Sequence, residues 1–409
     1  MNTNNKLKIF NDPIYGFITI PNTLIFDLIA HKYFQRLRRI SQMGLSYLVY
    51  AGAHHTRFHH ALGCLHLMQK AVRILRFKGV SISDSEEDGL YIAILLHDIG
   101  HGPFSHAMEH SIVENVSHET ISLKFMEALN IEFDGALDVA ISMFKGVYNR
   151  KFFGQLISGQ LDIDRSDYLK RDSFYTGVSE GNINSERLIS MMSVVNDELV
   201  IEEKGIYSIE KFLTARRLMY WQVYLHKTSL VAEQMITRIL KRAKELTHKG
   251  VKLEASSALS FFLNNSTNSN NFEISTLNQF SLLDDYDIIS ALKSWQFHDD
   301  FVLSRLSEMI LNRNLLKIKL RNKAFSSSKL EAVKKDVMLE YKLDTHEASY
   351  FVFHGHVDNL AYNPKQGRLK ILYKNGNTKD IIKASDHLSS KVLSKTVSKH
   401  YICFPKDIL

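Results

Sequence analysis

Cysteine is nearly absent from this 409-residue chain: only Cys64 and Cys403 occur, far apart. That argues against a disulfide framework and for a reducing compartment. No uninterrupted apolar run approaches the ~20 residues needed to cross a bilayer. The first ten residues are polar and lack the apolar segment of a secretion signal, so a cytoplasmic protein without a membrane partner is expected. No internal repeat is visible. Charge of one sign is not extreme either. A net charge of +7 and a pI near 9.0 suit a protein that meets phosphate, without separating nucleotides from nucleic acid.

What is present is core-forming material. Hydrophobic residues make up 45% and aromatics 11% of a length beyond the usual single core. Turn chemistry at Asn11–Gly16 precedes a short strand or hairpin over Phe17–Ile20. From Thr23 the apolar spacing turns helical, with a break at Gly44 and a helix over Ala61–Phe77. Ser83 followed by Asp84, Glu86 and Glu87 predicts the start of a helix whose run Leu90–Leu96 is wholly apolar. Further helices are predicted over His118–Leu129, Leu161–Arg171, Ile209–Lys244, Asp287–Ser290 and Phe301–Asn312. The polar tract Asn264–Asn271 reads as a mobile loop too polar to bury. Beyond residue 320 a charged helix, Ser328–Tyr341, is followed by predicted strands at Ser349–Phe353, Leu369–Tyr373 and His400–Phe404, with a hairpin turn at Asn375–Gly376. The fold expected is mainly α: a helical body over residues 1–320 and a small α+β module over 321–409.

The chemistry concentrates where the apolar helix ends. His97-Asp98-Ile99-Gly100-His101-Gly102-Pro103 joins two imidazoles, a carboxylate and a glycine-proline turn, and His106 follows. Neutral imidazole and carboxylate are transition-metal ligands. Two other segments could complete such a site. His54, His55, His59 and His60 surround Arg57 at a helix start; alone they could be a surface tract. Asp162, Asp164, Asp167 and Asp172 alternate with Arg165, Lys170 and Arg171; alone they could be a solvated helix with internal ion pairs. On a helix Asp164, Tyr168 and Asp172 share a face.

The order Arg57-Phe58-x-His60, then His97-Asp98, then Asp164 resembles the H…HD…D pattern of HD-domain metal-dependent phosphohydrolases. Asn11–Ile14, Phe34–Arg38, His97–His106, Asp164–Asp172 and Tyr224 with His226-Lys227 are similar to one branch, the deoxynucleoside triphosphate triphosphohydrolases. The resemblance spans roughly residues 10–240 and is looser beyond. It implies an HD-domain helical body, with His60, His97, Asp98 and Asp164 holding one divalent ion (Mn, Fe, Zn or Mg); His59 is an alternative to His60. His106, Glu109 and His118 fall where the branch keeps its proton-handling group, Glu109 replacing a common Asp. His101 is either a phosphate contact or a turn residue behind the ligands. Arg57, Arg165 and Arg216 would hold phosphate, Arg165 in place of a common lysine. Tyr168, Asp172, Tyr220 and Tyr224 would line the substrate, Tyr220 replacing a frequent histidine; core packing is the plain alternative for Tyr220 and Tyr224. Gln42 matches a contact to the sugar 3′-hydroxyl, and Met43 an apolar wall against a ribose 2′-hydroxyl.

The reaction implied is hydrolysis of a deoxynucleoside triphosphate, dGTP favoured, to nucleoside and inorganic triphosphate. Hydrolysis of a monophosphate, cyclic nucleotide or alarmone is the alternative, and a nucleotide or nucleic-acid binder without turnover a third. A homo-oligomer, dimer or tetramer, is implied as well, and nucleic acid is not the expected primary partner. Gln35 and Arg38 match a nucleotide-activator site, but its acidic position is Ala30 here. A guanine activator is therefore not expected there, while another deoxynucleotide or none stays open.

Overall fold

The computed structural model describes residues 8–104, 108, 111–269, 271–359, 362–363, 367–386 and 396–408. The chain is mainly helical, with small sheets at its edges. It opens with a hairpin of β1 (Ile9–Asp12) and β2 (Gly16–Thr19). Asp12 closes the turn by accepting from the amides of Ile14 and Tyr15 at 2.9 and 3.0 Å, and Gly16 supplies the left-handed residue (φ 72°) that a side chain would resist.

Helix α1 (Thr23–Ala30) leads to the three that matter most: α2 (Arg57–Phe77), α3 (Asp84–Leu96) and, after α4 (His118–Glu132), α5 (Ile163–Thr176). The predicted start of α3 is a full capping box, Ser83 and Glu86 each accepting from the other's amide. From Leu90 to Leu96 every residue is buried, so α3 is apolar all round because it is enclosed all round. Helix α2 packs against both α3 and α5. Asp162 caps α5 through the amide of Arg165, and Gly177 (φ 72°) ends it.

Three sequence expectations are corrected. The stretch 209–244 is two helices, α6 (Ile206–Met219) and α7 (Lys227–His248), separated by a π turn over Tyr220–Tyr224. A π turn leaves the apolar spacing helical in appearance, so periodicity does not reveal it, yet it re-aims the two tyrosines. Nor is the tract 264–271, in its described part, a free polar loop. Thr267–Asn268 pairs in parallel with Val113–Glu114, and Thr267 is buried. The side-chain amide of Asn271 satisfies the backbone of Asn268 and Ser266, which lets a polar segment pack. Finally, Ser349–Val352 is a turn after the short helix Thr345–Ala348, buried from Tyr350 on, and the strand begins only at Phe353. A short apolar run reads alike in either conformation.

After α8 (Phe301–Leu311) come β5 (Lys317–Arg321), α9 (Ser327–Tyr341), β6 (Phe353–Asn359), β7 (Lys370–Leu372), β8 (Thr378–Asp380) and β9 (Val397–Phe404). Strand β9 lies antiparallel between β5 and β6. The hairpin β7–β8, closed by Gly376 (φ 82°) as predicted, does something different. It extends the body's own hairpin of β3 (Met192–Val195) and β4 (Glu198–Glu202), β7 pairing in parallel with β4. Among the described residues no helix is long and apolar enough to cross a membrane.

Candidate metal centre

Helix α3 delivers its last residues to where α2 packs against α5. His97 caps α3, and its Nδ1 lies 2.6 Å from the Ile94 carbonyl. A carbonyl only accepts, so Nδ1 carries the proton and Nε2 presents a lone pair. That buried Nε2 has no hydrogen-bond partner. It stands 3.5 Å from a carboxylate oxygen of Asp98 and 3.5 Å from one of Asp164. His60, in the first turn of α2, is arranged the same way. Its Nδ1 meets Asp167 at 2.7 Å, and its Nε2 is 3.2 Å from Asp164 and 3.9 Å from Asp98. Donors sharing one ion at ~2.1 Å stand about 3–3.5 Å apart. His60, His97 and Asp164 therefore fit a divalent ion, with Asp98, 3.5 and 3.9 Å from the two imidazoles, at the edge of that spacing as a fourth donor, and both imidazole tautomers are set by their outer partners.

Electrostatics agree with that geometry. Burial alone would push Asp164 up and His60 and His97 down, yet His60 and His97 hold Asp164 low, while Cys64, Asp164 and Asp167 raise His60 and the negative charges of Asp98 and Asp164 raise His97. Asp98 is kept ionised, against the cost of burial, by His101, His97 and Arg57. Buried carboxylates and imidazoles that face one another and stabilise each other's charges suit a cation. Cys64 lies 3.6 Å from both ring nitrogens of His60, close enough to join the group of metal-capable side chains, and burial pushes its thiol up.

Around this centre the remaining expected residues fall into two groups. On one side Arg57 donates to Asp98 at 2.6 Å. His101 approaches the other oxygen of Asp98 at 3.3 Å and stacks on His118 with centroids 3.9 Å apart. Burial, with Arg57 adding, pushes His101 down to about 3, so its ring is neutral near pH 7. His106 and Glu109 lie outside the described residues. On the other side, Tyr224 donates to Asp172 at 2.7 Å, and the second oxygen of Asp172 meets His55 at 2.7 Å. Tyr224 touches Tyr168 and Tyr220 edge-on. The backbone N–H of Gln42 donates to the His55 carbonyl at 3.0 Å, and the buried side-chain Oε1 of Gln42 has no hydrogen-bond partner. Met43 follows it, half-buried against the core. Arg216 ends α6 close enough to Tyr168 to act on its hydroxyl. Arg165 forms an ion pair with its own helix cap Asp162 and donates to the Gly159 carbonyl at 2.7 Å.

The structure also separates His60 from His59. His59 turns back to accept from the Thr56 amide at 3.1 Å, serving as a cap, while His60 enters the cluster. Sequence reasoning counted His55 and Asp167 among the available imidazoles and carboxylates but gave neither a role. The signal for Asp167 was its i, i+4 spacing to Arg171, an ion pair that exists but is fully buried rather than solvated.

A family model of the HD domain matches residues 57–172, the span from Arg57 to Asp172 that builds this cluster, and one of the HD associated region matches 183–259. The chain is similar to a crystallised phosphohydrolase from Bacteroides thetaiotaomicron, 51% identical over 98% of this chain and all of that one, with a TM-score of 0.95. The chain belongs to the HD-domain phosphohydrolase superfamily. This HD-domain chain is also 32% identical to the uncharacterized protein YwfO of Bacillus subtilis, over 98% of its own length and 93% of the relative's. A SAMHD1 homolog of Dictyostelium discoideum, named a deoxynucleoside triphosphate triphosphohydrolase, is 32% identical over 60% of this chain and 51% of that protein. The chain thus lies near that branch while spanning about half the length of such relatives.

Proposed function

We propose that the protein hydrolyses deoxynucleoside triphosphates, dGTP favoured, to deoxynucleoside and inorganic triphosphate. The observation that carries this reading is that one helix, α5, bears Asp164 of the four-donor cluster and Asp172 of a separate polar group of the kind a sugar needs, with Tyr168 between them within electrostatic reach of Asp164. His55 joins Gln42, whose unpartnered Oε1 can accept from a hydroxyl, to the Asp172–Tyr224 pair. The relatives named as triphosphohydrolases of deoxynucleotides add to it.

When bound, a divalent ion held by His60, His97, Asp98 and Asp164 supplies Lewis acidity and a water of lowered pKa. The chain's own residues do the rest. Neutral His101 and the guanidinium of Arg57 are placed beside Asp98 to meet phosphate oxygens. Tyr168, Tyr220 and Tyr224 form a wall that limits water. His118, stacked on His101, belongs with His106 and Glu109 in handling the leaving-group proton. The same reading carries a homo-oligomer and a nucleotide-sized effector as matters for direct measurement.

Incubating Mn-loaded protein with each dNTP and separating the products tests the reading. Nucleoside plus inorganic triphosphate is expected, abolished in Asp164→Ala. Release of pyrophosphate or orthophosphate would overturn it in favour of another phosphate-ester hydrolase.

A further inference from the structure

A line of buried charges leaves the metal centre in the direction of the N-terminal hairpin. His60 Nδ1 meets Asp167 at 2.7 Å. Asp167 receives two bonds from Arg171, at 2.9 and 3.0 Å. Arg171 reaches on to Asp12 at 2.8 Å. Asp12 spends its other oxygen on the amides of the hairpin turn, so its position reports the hairpin's. Tyr15, from the same turn, covers the Arg171 guanidinium at 5.6 Å. Asp167 and Arg171 are wholly buried, and burial would raise the Asp167 carboxyl; Arg171 and His60 instead hold it down at about 2.

Two features argue that this line is more than an ion pair filling space. Helix α2 makes room for it with a notch: a Cβ on Gly63 would stand 2.1 Å from an Asp167 oxygen and 2.3 Å from an Arg171 nitrogen. The charges do not cancel, either. Two carboxylates share one guanidinium, leaving an excess negative charge that the imidazole of His60 meets directly at 2.7 Å, with half-buried Lys170 acting on Asp167 only from a greater distance. Negative charge behind an imidazole makes its far nitrogen a stronger donor and fixes its orientation.

We propose that Asp12, Arg171 and Asp167 are positioning residues that couple the docking of the N-terminal hairpin to the metal affinity of His60. Undocking of the hairpin would release Arg171 to pair with Asp167 alone. The negative charge behind His60 would then be neutralised, and the ion would be held more weakly. The hairpin thereby becomes a handle on the metal centre. This rests on the metal reading of the site, which can fail separately.

The test is equilibrium titration of metal-stripped protein with Mn(II), with thermal unfolding of each variant as a check on folding. Asp167→Asn should weaken binding by about 10–100-fold, the range for loss of a partner behind a metal-bound histidine. Asp12→Asn, distant from the ion, should weaken it by a smaller factor of several-fold. Asp12→Ser, whose hydroxyl can still close the turn but cannot reach Arg171, should do the same if the Asn variant folds poorly. Phe17→Ala, on the exposed side of the hairpin, should bind Mn(II) as wild type does. In the Asp167→Asn background the Asp12 substitution should add nothing, because its effect passes through Asp167. Unchanged affinity in both Asp12 variants, or an effect that persists undiminished without Asp167, would overturn the coupling. Wild-type protein that binds no divalent ion would overturn the metal reading itself, and the coupling with it.

Discussion

The four histidines between positions 54 and 60 do four different jobs. His54 stacks on Tyr47, His55 pairs with Asp172, His59 caps α2, and His60 faces the metal cluster. Spacing to Arg57 singles out His60 in the sequence, but the other roles depend on partners far along the chain. Asp285 shows the same dependence in its protonation. It is buried, accepts from the Ser41 amide at 2.8 Å, and has one oxygen without a partner. Burial, reinforced by neighbouring Asp284, pushes its carboxyl up to about 6. A carboxyl raised by folding keeps its proton longer in the folded state than in the unfolded one. Stability therefore falls as pH rises from about 4 to about 6 and is then level, the cost reaching at most ~3 kcal/mol. Asp285→Asn keeps the acceptor for Ser41 and removes the cost. Its melting temperature should exceed wild type at pH 7.5, with the difference vanishing near pH 4.

At the scale of elements, the site is held by close approaches that only glycine permits. Gly100 follows the His97-Asp98 pair, and a Cβ there would stand 2.2 Å from the Ser122 amide nitrogen and 2.3 Å from the His118 carbonyl oxygen. Both contacts are backbone, so α4 would have to move. Ser122 also clips the turn, its hydroxyl accepting from the Gly100 amide and donating to the His97 carbonyl. Gly100→Ala is expected to destabilise the fold by ~2–4 kcal/mol, in the range of overpacked cores, measured by denaturant unfolding. Gly154, inside the helix Lys151–Ile157, has nothing within 4 Å of a Cβ. Gly154→Ala should stabilise by about 0.5–1 kcal/mol in the same assay.

For the whole molecule, the division near residue 320 is a proposal about layout, and separability is another matter. The module's β7 pairs with the body's β4, and buried Tyr362, Ile371 and Ile381 join the same apolar core as the body. Each such side chain contributes roughly 1.5–3 kcal/mol by burial. A chain ending at residue 320 would expose the edge of β4 and leave β5 without its neighbour β9. It is expected to melt at a markedly lower temperature and to bind a hydrophobic dye. A truncated body that melts like the full chain would mark the module as separable.

Much of this was legible in the sequence. The capping box of α3, its all-apolar run, the Asn375–Gly376 turn and the mainly helical class follow from local rules. Those rules act over a few residues and leave their mark in spacing. The four residues that the resemblance to the H…HD…D pattern implied as ligands, His60, His97, Asp98 and Asp164, each stand within 4 Å of two others of the set, while their roles there are proposals. The tertiary structure decided what local spacing cannot carry. It put a π turn where periodicity read a continuous helix, and it buried a polar tract by letting Asn271 satisfy the backbone. Above all, it converted Asp167–Arg171 from a surface-type ion pair into buried charges joined to Asp12 and His60. The same i, i+4 spacing serves a solvated pair and a buried one, and only the helix packed over it, notched at Gly63, determines which.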